Sequence, residues 1–202
     1  MGVFINGGIS RFRQTLGSEI YVDKTDMIDF LNRVLNTEQK CICVSRPRRF
    51  GKSITANMIA AYYEKESDSR SLFEGRKLSK IQNWDCELNK YNVIMIDIAD
   101  ILSSQGSAEK ALDYLEAAII EELKQVFPEL AQSMVGGIPE ALAFINEVTA
   151  EQFIIIIDEW DVLIRDEAAN KKVQEKYINF LRAMFKGTEP TKYIQLAYLT
   201  GI

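Results

Sequence analysis

The 202-residue sequence contains no histidine. That excludes histidine general bases, histidine-containing catalytic triads and histidine-ligated metal sites. Any chemistry must rest on carboxylates, lysine, arginine, hydroxyls or a bound ion. Cysteine is scarce: Cys41, Cys43 and Cys86 form no disulfide framework. Cys41 and Cys43 lie two apart on an expected strand and share a face, and buried thiols in a reducing cytoplasm are the expectation. No apolar run approaches the about 20 residues that a helix needs to cross a bilayer. The most apolar stretch, Phe153 to Ile157, stops after five. No basic start followed by an apolar block marks a secretory signal, and Asn6 stands where a myristoylated Gly2 would require Ser or Thr. A cytoplasmic protein without membrane attachment is therefore expected. Basic charge is in the minority too, and the net charge of −5 argues against broad nucleic-acid binding.

What is present reads as an ordinary globular chain, 47% hydrophobic and 26% charged, in one domain over residues 1–202. Residues 1–39 form an N-terminal segment, in which 3–17 carry no firm element. Met27, Ile28, Leu31, Val34 and Leu35 then make one face of a helix, with Thr25 or Asp26 as its N-cap. The apolar Cys41 to Ser45 predicts a strand, and a helix follows from Ile54 to about Glu66. The polar segment 67–92 has Leu72-Phe73 and Ile81 with Trp84 as anchors to the core. Val93 to Ile98 and Phe153 to Ile157 are apolar runs of the kind that form strands buried on both faces. Between them lie a loop at 103–107, a long helix from Ala108 ended by Pro128, and a helix from Pro139 through Val148. Val173, Tyr177, Leu181 and Met184 mark one more helix, and Tyr193 to Leu199 a last strand. Strands alternating with helices predict a parallel, three-layer α/β sheet.

The chain is organised around Arg46-Pro47-Arg48-Arg49-Phe50-Gly51-Lys52-Ser53, placed between a strand and a helix. Gly51-Lys52-Ser53 is the end of a phosphate-binding P-loop, where backbone N–H groups and a helix N-terminus hold phosphate oxygens. Lys52 would meet the outer phosphates, and the Ser53 hydroxyl would reach a magnesium ion. Ile54 continues the loop into the helix. The usual pattern has a further glycine where this chain has Arg46, so the backbone turn there needs no positive φ. Arg46, Arg48 and Arg49 place a dense positive cluster beside the phosphates. Each can steady the γ-phosphate, pair with surface acids, or face a partner protein.

A P-loop needs a carboxylate at the C-terminal end of a neighbouring strand. Asp158 ends the run Phe153 to Ile157 and is followed directly by Glu159. The Asp would orient magnesium and the Glu would polarise the attacking water, as in glutamate-bearing ATPases. Asp97, ending the other buried run without a second acid beside it, is expected to serve a structural or supporting role. Thr200, just past the last strand, either senses the γ-phosphate or caps the next turn.

Taken together, Tyr21-Val-Asp-Lys-Thr25, the P-loop, Ile154 to Asp161 (IIIIDEWD) and Tyr198-Leu-Thr-Gly-Ile202 resemble the bacterial and archaeal AAA-ATPase-like family over residues 12–202. The resemblance implies a P-loop NTPase core of the additional-strand class, with ATP and magnesium as ligands and Asp158 and Glu159 as the acidic pair. It implies that Phe12 and the segment around Tyr21 lie near the nucleotide base. Relatives usually continue into a further strand, a helical lid and a nuclease-like domain. On that reading the core at 40–202 is incomplete, and its link to nucleic acid is indirect. The sheet edge beside the P-loop strand is expected to be covered by the N-terminal segment or by another chain, whether a second copy or a partner protein. The leading functional reading is ATP hydrolysis that drives or gates a partner. A GTPase is disfavoured, because Asn170-Lys-Lys-Val173 and Asn89-Lys-Tyr-Asn92 both lack the last Asp of a guanine-reading motif. A small-molecule kinase has Glu159 against it, and a nucleotide-sensing module that does not hydrolyse remains the alternative from another class.

Overall fold

Strand β3 (Phe153–Asp158) is fully buried and carries the logic of the whole sheet. Its side chains alternate, so Ile154 and Ile156 join one core while Phe153, Ile155 and Ile157 join the other. Each of these side chains is at 0% exposure, and each such burial stabilises by about 1.5–3 kcal/mol. A five-residue run without a polar face is stable only with helices on both sides, and both layers are present. The computed structural model describes residues 2–166 and 170–202.

In chain order the helices are α1 (Gly8–Leu16), α2 (Met27–Val34), α3 (Lys52–Tyr63), the short α4 (Arg70–Phe73), α5 (Ile98–Gln105), α6 (Ala108–Val126), α7 (Ile138–Thr149), the short α8 (Val162–Arg165), α9 (Lys171–Phe185) and the short α10 (Pro190–Tyr193). The strands are β1 (Cys41–Ser45), β2 (Asn92–Asp97), β3 and β4 (Ile194–Gly201). All strand pairings are parallel, in the order β1-β4-β3-β2. The last strand is thus inserted between the P-loop strand and the strand carrying Asp158. Helices α1, α2 and α3 pack on one face through Phe12, Ile28, Leu31 and Ile59. On the other face α5, α6, α7 and α9 pack through Ile101, Ile119, Leu142 and Tyr177.

Most expected elements are where periodicity put them, and Leu72 and Phe73 anchor the polar segment to the core as expected. Several expectations need correction. Residues 8–16, left unassigned, form α1. Ile98 opens α5 instead of ending β2, because the Asp97 side chain caps that helix by accepting from Asp100 N–H at 3.0 Å; the loop expected at 103–107 is largely its last turn. Helix α3 begins at Lys52 and stops at Tyr63, two residues early at its start and short of Glu66. Cys41 and Cys43 share a face as expected, but both are exposed. The reason is their edge strand: Ile42 and Val44 pack on the α1–α3 side, whereas no β1 residue belongs to the core on the other face.

The N-terminal segment covers an edge, though not the one expected. Residues 4–6 pair with β2, through an antiparallel bridge of Ile5 to Ile94 and bonds from Asn6 N–H to Val93 O (2.9 Å) and Met95 N–H to Phe4 O (2.8 Å). Glu122 on α6 fixes this choice, its carboxylate accepting from the N–H groups of Val3, Phe4 and Ile5. Among the described residues nothing pairs with the outer side of β1.

Candidate functional site

The loop Arg46 to Gly51 leaves β1 with its first residue still tied to the sheet, Arg46 N–H donating to Gly201 O at 3.2 Å. Arg46 needs no left-handed backbone, as expected; the positive φ values fall at Arg49 (69°) and Gly51 (72°). Gly51 stands at the N-cap of α3 with no side chain to cap the helix, so the first-turn N–H groups are free to meet an anion. Thr55 closes that turn from inside, its N–H and hydroxyl both reaching Gly51 O. The Lys52 ammonium folds back on the loop and donates to the carbonyls of Arg46 (2.8 Å) and Pro47 (3.2 Å). Ser53 is exposed at the first turn of α3.

Two clefts flank this loop. One, of about 520 Å³, is lined by Arg48, Arg49, Gly51, Lys52, Ser53, Ile54 and Glu159. The P-loop and the glutamate far along the chain therefore face one space. The other, about 280 Å³ and more apolar, lies between the N-terminal segment and α3, with Tyr21, Lys24, Phe50, Ile54 and Met58 among its walls. Arg49, Gly51 and Ile54 border both clefts. Phe50 is 60% and Ile54 42% exposed, so large apolar side chains stand open to solvent around the second opening. Tyr21 is seated there by the edge of Phe12 at 6.2 Å and by the Arg76 guanidinium 5.2 Å over its ring. Burial pushes the Tyr21 hydroxyl up, with Asp23 adding to it and Arg76 opposing it.

Behind Glu159, Asp158 is 1% exposed at the end of β3. Its Oδ1 accepts from the Thr200 hydroxyl and from Glu159 N–H (3.1 Å), while Oδ2 is buried with no hydrogen-bond partner among the described residues. Thr200 lies inside β4 and not past it, a correction to the expected strand end, and its partner is Asp158. The turn after Glu159 is tied to β4 by Trp160 N–H to Thr200 O (2.9 Å) and held from α9 by Tyr177, whose hydroxyl donates to Trp160 O (2.6 Å). Glu159 itself has φ 50°, a left-handed conformation rare for a long side chain.

Ser53 and Asp158 are the residues that could hold a magnesium ion. The orphaned, buried Asp158 Oδ2 fits that use, and Mg²⁺ asks little more of a protein, since phosphates and waters complete its octahedron. Among the described residues no cluster of three or more acids or cysteines competes for it. Asp97 stands beside Asp158 in register but serves to cap α5. Burial raises its carboxyl above the usual range, and the charges of Asp158, Asp100 and Glu159 add to that against the Asp100 N–H.

Among the expected site residues, Arg48, Arg49, Gly51, Lys52, Ser53, Ile54 and Glu159 share the first cleft, Phe50 and Tyr21 belong to the second, and Arg46 and Pro47 enter through their carbonyls. Sequence reasoning placed Lys24 only within the segment near the base and gave it no part of its own; it lines the apolar cleft and donates to Phe50 O at 2.9 Å. Its partner is a backbone oxygen, so no residue pattern announces it. Among the described residues no helix is long and apolar enough to cross a membrane.

A search of curated proteins returns no match. The model of one family, described as Predicted AAA-ATPase, matches residues 7–202, which takes in every element from α1 to β4. With its phosphate loop, its strand-end acids and nearly its whole length inside that match, the chain belongs to the Predicted AAA-ATPase (AAA-ATPase-like) family.

Proposed function

We propose that this chain binds ATP with magnesium and hydrolyses it, and that its nucleotide state drives or gates a partner protein or domain. Membership of an ATPase family implies nucleotide binding. The observation that carries the finer reading is the cleft in which Lys52, Ser53, Arg48 and Arg49 face Glu159, with the buried Asp158 behind it. The insertion of β4 between β1 and β3, together with a Glu directly after the strand-end Asp, supports the additional-strand, glutamate-bearing class.

In this reading the N–H groups at the start of α3 and the Lys52 ammonium take the outer phosphates, Lys52 leaving the Arg46 and Pro47 carbonyls to do so. Magnesium, held by Ser53 and oriented by Asp158, would neutralise charge on the phosphates. Glu159 polarises the attacking water, and its carboxylate accepts the proton as the bond to phosphorus forms. Thr200 keeps one Asp158 oxygen occupied, and the other would be left for the ion. As the β–γ bond breaks and ADP departs, Arg48 and Arg49 supply positive charge where the γ-phosphoryl group and the leaving oxygen gather negative charge. The apolar cleft, bordered by the same Arg49, Gly51 and Ile54, suits the base, with Tyr21, Phe50 and Ile54 as its walls.

Calorimetric titration with ATP, ADP and GTP in magnesium, beside a phosphate-release assay, tests this. Lys52→Ala should weaken ATP binding by about tenfold or more, since a hydrogen bond to a charged group is lost. Glu159→Gln should keep ATP binding and lose hydrolysis by about a hundredfold or more, the usual worth of a general base. Unchanged ATP affinity in Lys52→Ala would overturn the phosphate-loop assignment. A parent protein that binds ATP yet releases phosphate no faster than Glu159→Gln would make the chain a nucleotide-sensing switch instead.

A further inference from the structure

Asp23-Lys24-Thr25 lies in neither helix nor strand, yet it is firmly mounted. Asp23 Oδ1 accepts from the Thr25 N–H (2.9 Å) and hydroxyl (2.7 Å), and Oδ2 from Lys77 N–H (2.9 Å). Thr25, at 0% exposure, accepts in turn from Leu78 N–H at 3.1 Å. Burial works against the Asp23 carboxylate, but these backbone and hydroxyl donors outweigh it and hold its carboxyl below the usual range. Two anchors thus grip the loop at 77–78, and the residue between them is aimed elsewhere.

Lys24 reaches from this mount to the P-loop. Its ammonium donates to Phe50 O at 2.9 Å and lies 3.4 Å from where a Cβ on Gly51 would stand. The position of that carbonyl matters. It falls between Arg49 and Gly51, the two residues of the loop on left-handed backbone. In a planar trans peptide the C=O and the following N–H point in opposite directions. Holding Phe50 O on the Lys24 side therefore sends the Gly51 N–H the other way, out of the apolar cleft. Lys52 braces the opposite end of the loop through the Arg46 and Pro47 carbonyls. The loop is thus spanned by two ammonium groups, and only one of them is in the phosphate motif.

We propose that Lys24 is a positioning residue of the nucleotide site: mounted by Asp23 and Thr25, it holds the Phe50–Gly51 peptide in the orientation that offers the Gly51 N–H to phosphate. This rests on the reading of the loop as a nucleotide cradle. It gives the Asp-Lys-Thr segment a task at the phosphates as well as near the base. Because Lys24 itself is exposed, its truncation touches no core packing. Its effect belongs to the loop's preorganisation and not to the fold.

The test compares Lys24→Ala, Lys24→Arg and Lys52→Ala in the full chain. Binding of magnesium-ATP and magnesium-ADP is measured by calorimetry, thermal melting by circular dichroism, and tryptic cleavage after Arg48 and Arg49 in nucleotide-free protein by mass spectrometry. Lys24→Ala should weaken both nucleotides about fivefold, the scale of one solvent-exposed charge-assisted hydrogen bond. It should speed cleavage in the loop and leave melting as in the parent. Lys24→Arg, which can still donate to Phe50 O, should restore most of the affinity and the protection. Parent-like ATP affinity in Lys24→Ala beside weakened Lys52→Ala overturns the proposal and leaves the nucleotide reading intact. Parent-like affinity in both removes the nucleotide reading as well. An Arg variant as weak as Ala, with loop cleavage unchanged in either, also overturns the positioning role.

Discussion

Asp97 shows how one carboxylate near the proposed Asp158 and Glu159 pair can be costly to the fold. It caps α5, stands in register with Asp158, and is raised first by burial and then by its acidic neighbours. Because its folded pKa lies above the unfolded one, ionisation favours unfolding. The penalty is absent below the unfolded value, about pH 4, grows as pH rises through the folded value, and is complete above it. Asn keeps the cap and cannot ionise. Asp97→Asn should therefore melt higher than the parent at pH 7 without nucleotide, and the difference should vanish as the pH falls to about 4. Thermal denaturation across that range checks it. Residue type and spacing were enough to name Lys52, Ser53, Asp158 and Glu159 beforehand, from a Gly-Lys-Ser loop and an Asp-Glu after an apolar run, and folding brings Lys52, Ser53 and Glu159 to one cleft. The contacts of Lys24 with Phe50 O and of Thr200 with Asp158 were not legible beforehand. Both depend on which backbone or side chain lies opposite, and that is fixed by folding and not by spacing.

Helix α1 is the element that the sequence hid best. Its apolar positions Ile9, Phe12 and Leu16 have helical spacing, but Gly7 precedes it, Gly8 opens it and most of its surface is polar, so local propensity is weak. It forms because α3 and the buried Glu64 receive it. Glu64 accepts from Gly8 N–H at 2.7 Å, and burial raises its carboxyl while that N–H opposes the shift. Gly8 is needed for another reason, since a Cβ there would lie 2.4 Å from the Ala60 Cβ and 3.0 Å from α3 backbone. Gly8→Ala should destabilise the chain by about 1–3 kcal/mol, the usual cost of overpacking, seen as a lower midpoint in urea. A parent-like midpoint would mean that α1 and α3 can separate freely. Buried runs and long amphipathic patterns such as α6 and α9 needed no such help, and periodicity alone located them. Helix α5 escaped because Asp97 ends a strand and starts a helix at once.

At the scale of the whole molecule, the two sheet edges are treated differently. The N-terminal segment and Glu122 close β2, whereas β1 shows one face of its side chains to solvent. The thiols report this. Cys41, Cys43 and Cys86 are all exposed, so each should be alkylated in native protein without denaturant. Partial desolvation where Cys41 meets the sheet pushes its thiol up, against the opposing charge of Lys40, and Cys41 should react slowly at neutral pH. Mass spectrometry of the labelled protein counts the modified sites; protection of both Cys41 and Cys43 would show that β1 is covered in solution. Composition and strand pattern were enough to give the layers. They could not give the edges, because which strand lies outermost follows from connections over long sequence distances.

Arg49 and Glu159 share more than a cleft. Among the described residues, most other non-glycine positions on left-handed backbone are asparagines, which tolerate it, and Ala150 ends a helix there. Two long charged side chains do so as well, and both line the space beside Lys52. Left-handed backbone costs such residues about 1–2 kcal/mol each, and glycine would escape that cost. Under the proposed function, foldability and chemistry therefore pull in opposite directions at these two positions. A search for hardier versions of this protein, guided by melting temperature alone, would favour glycine at both and deliver a sturdier molecule whose cleft had lost both of these charges.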